Sequence, residues 1–172
     1  HHLSATAGYE YMIQNYSVVK AKSSGAASDD VPVLQSGTNF EASGNDEKQA
    51  MISGFARIGY DFRNRYIVSG SIRADGSSKF AKGNRWGYFP AASVAWLVSE
   101  EPFWSNAKRT ANTFKLRLSY GQTGNNGIGL YDTYGAFETS SYGNLPTMIP
   151  SKMQNTSMKW ETTTQLDAGM DL

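Results

Sequence analysis

Cysteine is absent from this chain, so it holds no disulfide frame and no thiolate metal site. Charge is scarce too: Asp, Glu, Lys and Arg make up 18% of residues, against roughly 25% in soluble domains. Neither sign clusters, and the net charge is +1. No basic stripe argues for nucleic acid, and no acidic tail argues for disorder. Long hydrophobic runs are missing as well. Nothing approaches the ~20 apolar residues of a transmembrane helix. There is no initiator Met and no basic-then-apolar opening, so the start does not read as a signal peptide. His1-His2-Leu3 reads as native sequence begun partway into a longer protein. Ala168-Gly169-Met170-Asp171-Leu172 stops inside an alternating run, so both ends are expected to be cuts.

What the chain does have is period two. With 172 residues it is long enough for one ordinary domain, and aromatics reach 13%. From Ala50 to Phe62 one face reads Ala50, Ile52, Gly54, Ala56, Ile58, Tyr60, Phe62, and the other Met51, Ser53, Phe55, Arg57, Gly59, Asp61. Tyr66, Val68, Gly70, Ile72 and Ala74 form the apolar face of the next segment. Leu3 to Tyr11, Val94 to Val98, Phe114 to Tyr120 and Leu166 to Leu172 repeat the pattern. The fold class is therefore all-β: an antiparallel up-and-down meander of about six long strands. Arg63-Asn64-Arg65 reads as a three-residue hairpin loop that sets Phe62 opposite Tyr66, because paired residues share a face. Asn64 tolerates the left-handed conformation such a loop needs. The stretches 14–49, 76–86 and 122–159 read as loops, and 99–112 as a turn with a helical start at Pro102 capped by Ser99.

Alternation alone does not separate a membrane barrel from a soluble sandwich. Three features favour lipid. The apolar faces carry no charge. Aromatics gather at strand ends: Tyr60, Phe62, Tyr66, Trp96 and Phe114 at one, and Tyr11, Trp86, Tyr88, Tyr120 and Trp160 at the other. Two such bands are what interfacial girdles produce. The opposite faces mix Arg, Lys, Asp, Glu, Ser and Gly, as a wet lumen would. Outer-membrane barrels have short periplasmic turns and long outer loops. That rule places 14–49, 76–86 and 122–159 outside, and 63–65 and 99–112 in the periplasm. The alternative is a soluble extracellular β-sandwich that binds glycans, in which Ile58, Val68 and Leu118 would meet a second sheet.

Several stretches resemble one family in its own order. They are Arg63-Asn64-Arg65-Tyr66-Ile67-Val68, Arg73-Ala74-Asp75-Gly76-Ser77-Ser78-Lys79-Phe80, Asn84-Arg85-Trp86-Gly87-Tyr88-Phe89-Pro90, Ser93-Val94-Ala95-Trp96 with Ser99-Glu100-Glu101, Leu116-Arg117-Leu118-Ser119-Tyr120-Gly121-Gln122-Thr123-Gly124-Asn125, and Lys159-Trp160-Glu161-Thr162-Thr163-Thr164-Gln165. Together they resemble the SusC/RagA-type TonB-dependent transporters. Met158 stands where that family commonly has Leu. The resemblance covers most of residues 50–172; the first 49 match only in style. It implies that residues 1–172 are part of the wall of a ~22-stranded outer-membrane barrel with a plugged lumen, in a Gram-negative bacterium. It also implies a plug and a TonB-contacting segment outside this chain, a SusD-like surface lipoprotein, membrane lipid as a neighbour, and a glycan or peptide as cargo. No nucleic-acid partner and no cofactor is expected.

No constellation for catalysis stands out. Glu100-Glu101 is better read as a turn at the membrane edge than as an acid–base pair. Asp29-Asp30 and Asn45-Asp46-Glu47 lack the spacing of a calcium loop. His1-His2 makes a poor metal site, and Gly121 to Gly127 lacks the strand–helix context of a phosphate loop. Arg57, Arg73, Asp75, Lys115 and Arg117 are the lumen-facing candidates. The expected arrangement is a lattice of ion pairs with Asp61, Asp75 and Asp167.

Overall fold

The structure is a computed structural model that describes residues 1–28, 30, 33–105, 112–143 and 145–172. Its strands are β1 (His2–Ser24), β2 (Asn39–Phe62), β3 (Tyr66–Ser77), β4 (Trp86–Leu97), β5 (Lys115–Asn125), β6 (Ala136–Tyr142), β7 (Leu145–Lys152) and β8 (Glu161–Asp171). Six form one sheet in the order β1-β2-β3-β4-β5-β8, and β6 and β7 pair with each other. The expected six-strand meander is therefore present, with a hairpin inserted before its last strand.

The chain divides into two compact units. The first combines His1–Met12 with Ala50–Leu172, and the second is Ile13–Gln49. The second corrects the expectation of a loop over 14–49. It is a ribbon made from the later part of β1 and the early part of β2, turned through a 3-10 turn at Leu34–Ser36. Both of its faces are polar, so no apolar alternation announced it. Backbone pairing needs no such alternation. Cross-strand polar pairs support the ribbon: Gln49 with Gln14, Ser17 with Asp46, and Lys22 with Glu41.

In the first unit the β2–β3 turn is as the alternation requires: Phe62 sits opposite Tyr66. Both Arg63 and Asn64 adopt positive φ, 56° each. Phe62 O accepts from Arg65 N at 3.1 Å, and Asp61 Oδ1 accepts from Asn64 N at 2.7 Å. Two successive left-handed residues match the right-handed twist of the flanking strands.

Two connectors differ from expectation. Between β4 and β5 the helical start is two single 3-10 turns, Val98–Glu100 and Pro102–Trp104, and Glu101 rather than Ser99 precedes the second. Proline takes the first helical position there, where no N–H is needed. Residues 106–111 of that stretch lie outside the described residues. The 122–159 loop instead contains the end of β5 and the β6–β7 hairpin.

Candidate functional site

Register builds two chemically distinct faces. Tyr60 pairs with Val68, Val68 with Val94, Val94 with Leu118, and Leu118 with Ala168. One step along, Ile58, Gly70, Ala92, Tyr120 and Leu166 form the next row. These rows carry no charge, and none of the described residues covers them. Ile58 is 55% exposed, Val68 48% and Leu118 47%. A sandwich would have buried all three, so the alternative of a second sheet over this face fails.

Aromatic rows bound the apolar face. At the β2–β3 turn the rings follow one another: His1 lies 4.8 Å from Phe62, Phe62 6.2 Å from Tyr66, and Tyr66 6.3 Å from Trp96. His1 Nδ1 lies 2.8 Å from the Tyr60 hydroxyl. At the opposite end Trp86 pairs with Gly76 and Tyr88 with Ala74. The Trp86 ring passes 3.2 Å from where a Gly76 Cβ would stand. A glycine under an aromatic ring keeps the ring flat on the sheet.

Two assigned girdle residues sit elsewhere, Tyr120 and Trp160, while Phe114 stays at the β4–β5 end. Tyr120 is mid-strand, paired with Ala92 and Leu166, because β5 continues to Asn125. Phe114 precedes β5 and stacks on Trp104 at 5.0 Å. Trp160 precedes β8 and turns to the polar face, where it packs 5.5 Å from Phe89 and 5.3 Å from Phe80. Its Nε1 donates to Arg85 O at 2.9 Å. The indole N–H finds a carbonyl there, and that sets its side.

The turn-end aromatics have a polar anchor that sequence reasoning missed. Glu101 Oε1 accepts from the Tyr66 hydroxyl at 2.6 Å and from Trp96 Nε1 at 3.2 Å. Its Oε2 accepts from Arg65 Nη1 at 3.3 Å. The Tyr66 hydroxyl first, then the indole, hold the Glu101 carboxyl below the usual carboxylate range against the opposing effect of burial, and Arg65 adds to them. The only sequence signal was an acid just past β4, the strand that carries Trp96 and pairs with the Tyr66 strand.

On the polar face, Arg73 Nε donates to both carboxylate oxygens of Asp75, at 2.8 and 2.9 Å. Arg73 Nη2 reaches Ser53 Oγ at 3.1 Å and Glu10 Oε2 at 3.5 Å. The expected Arg73–Asp75 pair is therefore made, and Glu10 joins it. Arg117 instead pairs with Asp171 at 2.7 Å. Asp61 is taken up by the β2–β3 turn, and Asp167 accepts from Gln165. Arg57, Lys115 and Arg117 line one open groove of about 850 Å³, with Asp61 and Asp167 on the same wall. Ser69 and Ser93 share a hydrogen bond of 2.8 Å in its floor. Among the described residues no three His, Asp or Glu side chains gather as a metal site.

The Asp75–Phe80 stretch closes this face at the end away from the β2–β3 turn. Phe80 is fully buried. Thr133, also fully buried, donates to Lys79 O at 3.1 Å, and Lys79 Nζ reaches Asn126 O at 3.4 Å. Asn84 Nδ2 donates to Thr156 O at 2.8 Å. The Phe89 ring lies along the wall, where Cβ atoms at Gly87 and Gly124 would stand 2.5 and 2.0 Å from it. The segments 78–85, 126–135 and 153–160 are thus tied into one cap.

An antiparallel sheet with a bare apolar face between aromatic rows, and a grooved, charged face behind it, is the wall of a β-barrel. The chain belongs to the TonB dependent receptor-like, beta-barrel family, whose model matches residues 2–172. It is similar to TonB-dependent receptor P39 of Formosa agariphila, 38% identical over 78% of this chain and 13% of that protein. It is also similar to TonB-dependent receptor SusC of Bacteroides thetaiotaomicron, 36% identical over 72% of this chain and 13% of that protein. A solved structure described as that of the RagAB peptide transporter matches with a TM-score of 0.81 and 26% identity, over 98% of this chain and 19% of that one. The chain thus spans less than a fifth of the length of each of these relatives.

Proposed function

We propose that this chain is a segment of the wall of an outer-membrane TonB-dependent importer of nutrients in a Gram-negative bacterium. One observation carries the reading: the charge-free apolar face is exposed between two aromatic rows. That is the pattern of a lipid-facing barrel surface. On this reading 1–172 lies wholly in the barrel domain, and the plug and TonB-contacting segment belong to the rest of the protein. The grooved face, with Arg57, Arg73, Asp75, Lys115 and Arg117, lines the lumen. Tyr60, Phe62, Tyr66 and Trp96 sit at the periplasmic interface, and Trp86 and Tyr88 at the outer one. The chain itself performs no covalent chemistry.

The similarity to SusC and to the RagAB structure supports a surface lipoprotein of the SusD type as partner, and a glycan or a peptide as cargo. Energy delivered through TonB would displace the plug. The test is an immunoblot of fractionated cells with an antibody to residues 76–86. The expected result is a band well above the 18.9 kDa of this segment, in the outer-membrane fraction, whose migration shifts on heating in detergent. A soluble band near that mass overturns the reading.

A further inference from the structure

Asn126-Gly127 is the one Asn-Gly pair in the chain, and it stands just past the end of β5 at Asn125. In such a pair the glycine nitrogen can close on the asparagine side-chain carbonyl, because no Cβ on the second residue shields it. Two features of the structure favour that closure. First, the Asn126 main-chain oxygen accepts from Ile128 N at 2.7 Å and from Lys79 Nζ at 3.4 Å. That oxygen belongs to the same peptide group as the Gly127 N–H. A deprotonated amide shares its charge with the oxygen, so donors there, one of them a cation, stabilise it. Second, the Asn126 side-chain amide is loosely held. Among the described residues its partner is Met51 Sδ at 3.9 Å, a weak acceptor.

Comparable pairs nearby lack this combination. Asn125 is followed by a residue with a Cβ, and its Nδ2 donates to Glu161 Oε2 at 3.1 Å. Asp75-Gly76, the one Asp-Gly pair, lies inside β3, where Gly76 pairs with Ile52 and Trp86. Both Asp75 carboxylate oxygens accept from Arg73 Nε, and a carboxylate paired with a guanidinium is a poor electrophile. The favourable arrangement is at Asn126, and Asn126 is where the 126–135 segment of the cap is tied to Lys79.

We propose that Asn126-Gly127 is a self-modifying site, at which the folded protein converts the Asn126 amide to a carboxylate. Gly127 N gives its proton to solvent and bonds to Asn126 Cγ. The Cγ–Nδ2 bond then breaks, and ammonia leaves with a proton taken from water. The ring that remains joins Gly127 N to both Cγ and the Asn126 main-chain carbonyl carbon. Water opens it at either carbon. Attack at Cγ leaves aspartate in the ordinary chain; attack at the main-chain carbon leaves isoaspartate, with the chain running through Cγ. Overall one water is consumed and one ammonia is released. Either product sets a carboxylate beside Lys79. Isoaspartate also lengthens the backbone at the carbonyl that Lys79 and Ile128 hold, so 126–135 loosens from 78–85. The site is a slow mark of age on the cap, written by water alone.

The experiment incubates the full-length protein, folded in detergent or unfolded in urea, at mildly alkaline pH. Trypsin then releases residues 118–152, bounded by cleavage after Arg117 and Lys152. Mass spectrometry with electron-transfer fragmentation locates each amide turned to acid and separates aspartate from isoaspartate. The expected result is conversion at Asn126, faster in the folded protein than in urea. Lys79→Met keeps the aliphatic stem and removes the cation. It should slow the folded reaction about threefold and leave the rate in urea unchanged, with heat-shifted migration showing that the variant folds. Slower conversion in the folded protein than in urea overturns the proposal, and that comparison needs no variant. Equal conversion at Asn125, or an unchanged folded rate for Lys79→Met, overturns it as well.

Discussion

Replacing Ile58 by arginine tests the two-faced wall most directly. Eight residue steps separate the Tyr66 row from the Ala74–Tyr88 row, a rise of about 27 Å. At the ~40° tilt of barrel strands this becomes roughly 20 Å along the membrane normal, close to the ~25 Å apolar band. Ile58 stands opposite Gly70, midway between the rows. An arginine there meets the bilayer centre and costs about 2–4 kcal/mol. That is roughly a 30- to 900-fold shift in the folding equilibrium. The control is Ser119→Arg, on the other face and opposite Asp167, where a cation finds water and a counter-charge and costs less than ~1 kcal/mol. The assay is urea titration of the full-length protein folding into liposomes, read by heat-shifted migration. Equal midpoints for the two variants would refute the assignment of faces. So would a loss confined to Ser119→Arg, since that would put lipid against the grooved side.

Glu101→Gln removes the charge that Tyr66, Trp96 and Arg65 share. Hydrogen exchange at Leu97, whose N–H bonds Arg65 O, should then speed up. Because the folded carboxyl lies below its ordinary range, its contribution is full above the unfolded value near 4.3 and is lost as pH falls through the lower folded value. The variant should lack that acid-side loss, and an identical pH profile would sink the anchor role. Gly124→Leu forces the Phe89 ring off the wall against Trp160 and should cost about 1–3 kcal/mol, seen as faster proteolysis within 126–160; unchanged cleavage would argue against the cap. Asn64→Val, at a φ of 56°, should cost roughly 1–2 kcal/mol, while Asn64→Gly should be near neutral in the same urea assay.

Where one face was apolar, sequence alone was sufficient. The alternation from Ala50 to Phe62 and from Tyr66 to Ala74 predicted the Phe62–Tyr66 pairing, because a slip by one residue would move every apolar side chain to the wrong face. It failed over 14–49, where two polar faces leave no period to read, and at 136–152, where Phe137 and Met148 share a face with Thr139 and Ser141. Trp160 was misassigned because strand-end position says nothing about which way a pre-strand residue turns. Its direction depends on the Arg85 carbonyl, 75 residues away in sequence. Glu101 was invisible for a similar reason: its donors come from two strands and a turn that only the register brings together.

The inserted hairpin also bears on time. β2 and β3 are joined by three residues, 63–65, whereas 35 residues, 126–160, separate β5 from β8. Loop-closure entropy makes the second pairing about 2 kcal/mol costlier to initiate. A short hairpin closes in roughly 1–10 μs, so the Arg63–Asn64 turn is expected to form first and the β5–β8 seam to close after it. The cap is what shortens that last search. Once Phe80, Phe89 and Trp160 meet, the start of β8 is held beside the end of β5, and the seam zips from the Asn125–Glu161 pair toward Lys115.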